Sequence, residues 1–343
     1  MENTTSLTTP IPESLLTAKH PILCKLQDRV LRLDGPDAAK FLQGQVTCDV
    51  RTISESHAAF GAICSPKGRL IAQFYALQRS PSQPDLAELF IHASEESIPR
   101  LTQHLTKYML FSKARLTPHE SLKVVGIYWP EANNLVTTNL NKTLALAVFG
   151  NVQLVRIHKQ LPLFLAYGQE EDLTSWTQTL PAETIIKPHS FWENLEVVFG
   201  IPRITDAHSE EFVPQSLNMV AFEGISFSKG CYTGQEVIAR IKYLGKEKKR
   251  LCQLVCDSGE MKGTKLSDQI LDQGGQKVGT LISASNAFPY TYLLAVISKS
   301  ESAANSIYYV EGLENFPFKE QLLPYLEIDS PAPEKKSQIP SST

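Results

Sequence analysis

The sequence predicts an α+β fold that ends in a small antiparallel β-barrel. Three observations lead there. Strand-like and helix-like runs mix up to about residue 245 without the regular alternation of a doubly wound sheet. Residues 246–250, Lys-Glu-Lys-Lys-Arg, form a charged hinge. Beyond them, short apolar runs separated by Gly263, Gly274, Gly275, Pro289 and Gly312 replace any long helical pattern. The chain has 343 residues, and at roughly 150 residues per domain this predicts about two domains.

Taken in order, residues 1–20 carry Pro10, Pro12 and seven Ser or Thr and are expected to be loose. Residues 29–33 read as a short strand, and Asp34-Gly35-Pro36 starts a helix ahead of Ala39, Phe41 and Leu42. Residues 68–77 and 86–93 are strand-like, with Ser80 to Pro84 as the turn between them. Ile98, Leu101, Leu105 and Tyr108 fall at helical spacing. Residues 122–128, 152–157 and 161–166 are further strands. Pro188, followed by Phe191, Trp192, Leu195, Val198 and Phe199 and closed by Gly200, reads as a helix. Past the hinge, residues 251–255, 278–282, 292–297 and 307–310 are the short strands of the barrel, which is expected to span 246–328. The tail, residues 329–343, is Pro-, Lys-, Ser- and Glu-rich and cannot bury enough surface to order itself.

Composition narrows the function classes. Hydrophobic residues make up 42% and charged residues 20%, and 33 Lys and Arg against 36 Asp and Glu leave a net charge of −3. So balanced a chain has no global attraction to nucleic acid or anionic membrane, which excludes a general nucleic-acid coat protein. No run reaches the roughly 18 apolar residues of a spanning helix. The first 17 residues hold no Lys or Arg, so neither a secretory nor a mitochondrial leader is expected and the cytoplasm is the expected compartment. Six sparse cysteines fit a reducing compartment. Cys252 and Cys256, in an apolar run, are expected on one face of a strand as small core residues.

The densest unusual chemistry lies at residues 224–240. Val237, Ile238, Ile241 and Leu244 predict a helix from about residue 234 to 244, with Glu236 four residues before Arg240. Cys231 therefore sits on a glycine-bracketed loop just ahead of a helix N-terminus, two residues from Lys229. Both neighbours favour the thiolate, which makes Cys231 the candidate reactive thiol. The competing reading, that Gly230 and Gly234 only shape a turn with Cys231 packed beneath it, weighs about equally. No P-loop, G-x-G-x-x-G, H-E-x-x-H or zinc-like spacing is present.

The octet Lys229-Gly230-Cys231-Tyr232-Thr233-Gly234-Gln235-Glu236 resembles the signature of the YgfZ-type folate-binding proteins, relatives of the aminomethyltransferase (T-protein) of the glycine cleavage system. Further blocks match in family order at residues 41–50, 65–69, 107–113 and 212–218. The resemblance implies an aminomethyltransferase-like ring of two α+β subdomains, within residues 21–245, plus the barrel, around a folate-binding channel. It implies tetrahydrofolate as cofactor and a role in assembly or repair of iron–sulfur clusters in client enzymes, including those that thiolate tRNA. Trp192 matches a family tryptophan that contacts folate. The family's other such tryptophan has no counterpart, and Asp28 or Arg29 occupies its neighbourhood. Trp192, Arg29 and Gln235 are thus the expected cofactor-binding residues, and Cys231, Lys229 and Tyr232 the expected reactive set, with Lys229 and Tyr232 shaping the channel mouth. The aminomethyltransferases place acids just after the turn matching Lys67-Gly68. Here Arg69, Leu70, Ile71, Ala72 and Gln73 follow, so a glycine-cleavage activity is not expected. An accessory protein and a folate-dependent one-carbon or demethylating enzyme remain the two readings. The expected partners are a folate and iron–sulfur client proteins, with no direct nucleic acid, no membrane and a monomeric chain.

Overall fold

The computed structural model describes residues 11–78, 88–132, 140–245, 247–257, 266–286, 289–298 and 306–326. The turn expected at residues 80–84, the hinge residue Lys246, Gly263 and the tail 329–343 lie outside them. In chain order the elements begin with α1 (Glu13–Leu16), β1 (Ile22–Lys25), β2 (Arg29–Asp34), α2 (Ala38–Gln43), β3 (Ala59–Cys64), β4 (Leu70–Gln78), β5 (Leu89–Ala93), α3 (Ile98–Tyr108) and β6 (Arg115–Pro118). There follow β7 (Lys123–Tyr128), β8 (Leu146–Phe149), β9 (Val152–Arg156), β10 (Leu163–Gly168), α4 (Glu170–Thr177), β11 (Ile185–Lys187), α5 (His189–Val198) and α6 (Gln235–Tyr243). The remainder is all strand: β12 (Lys249–Cys256), β13 (Gln269–Leu271), β14 (Lys277–Ser285), β15 (Thr291–Ser298), β16 (Ile307–Val310) and β17 (Phe318–Gln321).

These form two sheets and a barrel. One sheet has the order β3-β4-β5-β2-β6, the other β11-β1-β7-β10-β9-β8, and the barrel closes as β12-β15-β14-β13-β16-β17. Its strand pairs are antiparallel, which bears out the expected fold class. Each unit buries one side privately. Leu42, Leu101 and Leu105 of α2 and α3 cover the first sheet, Leu173 and Trp176 of α4 cover the second, and Cys252, Leu254 and Cys256 fill the barrel. The opposite sides meet in one shared core that holds Phe60, Trp192, Leu251, Leu294 and Tyr325. Strand β12 shows why: alternate residues point to opposite faces, so Cys252 and Cys256 pack inside the barrel while Leu251 and Val255 face the shared core.

Two junctions fix how the parts meet. Gly200, just after helix α5, has φ +75° and lies so close to the segment that follows β17 that an added Cβ would sit 2.5 Å from Leu323 Cδ2. The Tyr325 hydroxyl donates to the Gly200 carbonyl at 2.9 Å. At the other end of the chain, the segment expected to be loose is tied down from Pro12 onward. The one-turn helix α1 buries Leu15, whose carbonyl accepts from the Tyr128 hydroxyl at 2.7 Å.

Candidate functional site

The signature loop lies on a bed built from the other sequence blocks. Thr47 is the keystone: its hydroxyl donates to Gly224 O at 2.6 Å and accepts from Ala62 N–H at 2.9 Å, while its carbonyl accepts from Ser226 N–H at 2.9 Å. Gly234, the residue before α6, has φ +84°, and a Cβ there would lie 2.6 Å from Ser65 O. Only glycine allows both that backbone and that approach. Gly68, φ +67°, faces Val237 of α6 as closely. The turn at residues 65–68, the segment 41–50 and the loop 224–236 are therefore one packed unit.

Lys229 locks it. Its ammonium donates to the carbonyls of Gln43, Val46 and Cys48 at 2.7, 2.8 and 2.7 Å, and it lies 5.0 Å from the centre of the Tyr232 ring. Burial pulls its pKa down to about 8, but three carbonyls match the three N–H groups of an ammonium, which a neutral amine could not serve. The sequence places this ammonium beside Cys231; the structure turns it inward, because three carbonyls within reach compensate its burial. Tyr232 is buried as well, and Cys231 stands exposed on the loop. The other five cysteines are buried, so the alternative of a packed Cys231 does not hold.

A second site surrounds Trp192. The indole is 1% exposed and is pressed against Gly126 of β7, where an added Cβ would lie 2.4 Å from the ring. Its Nε1 donates to Glu196 at 3.0 Å, one helical turn on. Arg203, in the loop after α5, donates to Glu196 and to Asp28, each at 2.8 Å. His92 of β5 lies 3.0 Å from Asp28 and 2.9 Å from the Tyr167 hydroxyl of β10, so the network joins the two sheets. Burial would raise the Asp28 carboxyl, but the His92 hydrogen bond and the Arg203 charge hold it well below the usual carboxylate range. Burial pushes Glu196 up, against the pull of Arg203. Of this network the sequence marked only Trp192 and, more loosely, Asp28. No spacing signal links Asp28 to Arg203, 175 positions apart.

The remaining expected residues fall elsewhere. Arg29 points to solvent and pairs with Glu95, because strand alternation sends Asp28 and Arg29 to opposite sides. Gln235 opens α6, with its N–H on Tyr232 O, and lines neither of the cavities below. Lys229 and Tyr232 line neither of these two cavities. Ala72 is buried, and Gln73 reaches the Trp192 cavity with its amide donating to Pro202 O at 2.8 Å. An amide cannot carry a proton in transfer chemistry.

The cavity beside Trp192 has a volume of about 30 Å³, room for a water or two. A drug-sized ligand takes a pocket of roughly 300 Å³ or more, and the side chains of this chain leave less than that beside Trp192. A cleft of about 1530 Å³ opens on the other side of the shared core, lined among others by Phe227, Tyr325, His158, Lys159, Lys242 and Lys248. Phe222 is the partition, with its ring 6.2 Å from Phe60 on the cavity side and 4.7 Å from Tyr325 and 5.3 Å from His158 on the cleft side.

No family model matches the chain. It is 32% identical over 247 residues to the tRNA-modifying protein YgfZ of Colwellia psychrerythraea, an alignment that covers 71% of this chain and 73% of that one. The chain belongs to the YgfZ family. The YgfZ proteins of Sodalis glossinidius, 27% identical over 323 residues, and of Yersinia pseudotuberculosis, 29% over 310, are covered to 95% and 92% of their lengths, and this chain to 92% and 88%. Among solved structures, the glycine cleavage system aminomethyltransferase T of Bartonella henselae superposes with a TM-score of 0.68 at 11% identity, over 91% of this chain and 88% of that one. That likeness shows the fold: the YgfZ-family chain has the aminomethyltransferase architecture.

Proposed function

We propose that this protein serves tRNA modification as a folate-binding accessory factor for assembly or repair of iron–sulfur clusters in client enzymes, including those that thiolate tRNA. The observation that carries the reading is Cys231, the one exposed thiol of six, held on a loop whose bed is locked by Lys229. Family membership supports the link to tRNA modification, since the relatives bear that name. The aminomethyltransferase-like fold is consistent with a folate. The folate would bring one-carbon chemistry, but Ala72 and Gln73 stand where the transferases place acids, so an accessory role is favoured over turnover. In this reading the protein is a cytoplasmic monomer that meets its clients through Cys231. It handles no tRNA itself, and among the described residues no helix is long and apolar enough to cross a membrane.

The test is complementation of a deletion strain, read as iron–sulfur enzyme activity and tRNA thiolation. Cys231→Ala should behave as the deletion does, and Cys256→Ala as wild type. Full complementation by Cys231→Ala would remove the thiol from the mechanism.

A further inference from the structure

The turn after α3 puts its apolar side chains into solvent. Phe111 is fully exposed and Leu110 is 81% exposed, with Tyr108 exposed beside them. A single exposed apolar residue is ordinary, but adjacent large ones standing clear of the surface mark an interaction site. The loop cannot fold them back, because both of its flanks are fixed. Met109 and Ala114 pack against the core that α2 and α3 share with the first sheet, and the Ser112 N–H closes the turn on Met109 O at 2.8 Å. On the far side the Lys113 N–H donates to Asp37 Oδ2 at 2.8 Å, and Gly35, φ +112°, lies against the Lys113 carbonyl with no space for a Cβ.

These anchors join the tip to the start of α2, and the signature loop is joined to its end. The Thr233 N–H donates to Gly44 O at 3.3 Å, and the Lys229 ammonium donates to Gln43 O. Six helical residues rise about 9 Å, so the apolar tip and the exposed Cys231 bracket one short helix, whose Ala39 and Lys40 are exposed between them. An ordinary protein interface covers about 800 Å² on each partner, roughly 30 Å across. A protein seated on the tip therefore reaches the thiol. The rim selects that protein's charge. Lys40, Lys107 and Lys113 are exposed around the tip, while the nearby acids are already engaged, Asp34 by Arg32 and Arg115, and Asp37 by the Lys113 N–H. A second copy of the chain would set lysine against lysine. Three lysines also fall short of the roughly four to eight clustered Lys or Arg that recognise an anionic bilayer.

We propose that Leu110 and Phe111 form the docking anchor for the iron–sulfur client of the proposed function, on which this proposal rests. The client takes the two side chains into an apolar pocket rimmed by Asp or Glu, and its surface then extends along α2 to Cys231.

Calorimetric titration of the full chain with a purified iron–sulfur enzyme that thiolates tRNA tests this. Phe111→Ser and Leu110→Ser should each raise Kd at least about tenfold, and Lys107→Glu combined with Lys113→Glu should weaken binding and flatten its salt dependence. Ile186→Ser removes an exposed apolar side chain from β11, on the other sheet, and should leave Kd within about twofold. All these side chains are exposed, so the urea midpoint should stay at the wild-type value, and Cys231 of Phe111→Ser should react with a thiol reagent as fast as in wild type. A Kd that ignores the tip variants, or that Ile186→Ser raises equally, overturns the docking site and leaves the client reading standing. So does a slowed Cys231 in Phe111→Ser, which would make the loop a structural support. Binding to phosphatidylglycerol vesicles, or a dimer in sedimentation velocity, that Phe111→Ser abolishes while the Kd for the enzyme is unmoved would assign the tip to a membrane or to a second copy instead. A wild-type chain that does not bind the enzyme overturns the client reading and the docking site together.

Discussion

The signature loop and the Trp192 network both bury charge, and they satisfy it in opposite ways. Lys229 is matched by backbone carbonyls of one short segment, residues 43–48. Arg203 is matched by two side chains, Asp28 and Glu196, brought together from distant parts of the chain. The first arrangement stiffens a local surface and leaves a thiol on it. The second ties two sheets together and closes the space between them. The difference teaches that charges gathered from distant parts of the chain enclose Trp192, while a charge satisfied locally leaves the Cys231 thiol exposed on its loop.

Breaking the side-chain network should have the largest effect. Arg203→Met leaves two buried carboxylates without their cation and should cost about 3–5 kcal/mol, seen as a lower urea midpoint. Lys229→Met strands three carbonyls, and Lys229→Arg, whose planar guanidinium does not match their geometry, should not restore stability. Loss of the charged hydrogen bonds should cost about 3 kcal/mol, and a stability unchanged by Lys229→Met would show the loop is not locked as described. Gly126→Ala forces a methyl into the Trp192 ring and should cost about 1–3 kcal/mol by the same measurement.

The pH dependence separates the two regions. Asp28 has a folded pKa held below its unfolded value of 3.8, so its contribution is fully present above that pH and is lost as pH falls from there through the folded value. The Asp28 contribution appears as a urea midpoint that drops below about pH 4, and Arg203→Met should flatten that drop. The smallest effect on stability belongs to Cys231→Ser, which should leave the midpoint unchanged. It should nonetheless abolish the single fast-reacting thiol of the native protein with a thiol reagent such as 5,5′-dithiobis(2-nitrobenzoate), because the other five cysteines are buried. More than one fast thiol would contradict that burial.

Much of this was legible in the chain. Periodicity located α3 at the expected ends, and glycine after α5 and before α6 marked turns that the structure shows at positive φ. Of the strands buried on both faces, β5, β7, β9 and β10 stand out in the sequence and β3 does not. Ala59–Cys64 is a short apolar run broken by Gly61 and rich in alanine, with few of the β-branched residues that mark a strand. The edge strands Arg115–Pro118 and Ile185–Lys187 are short and largely exposed, too little for a pattern to form.

By itself the sequence determined the fold class, the barrel that follows the charged hinge, the signature loop and the singular position of Cys231, because each rests on local spacing or on neighbours within a few residues. Only the tertiary structure decided which way Lys229 turns, that Asp28 and not Arg29 faces inward, and that Trp192 is enclosed. Those outcomes depend on which distant groups can compensate a buried charge or fill a volume, and no local pattern encodes that.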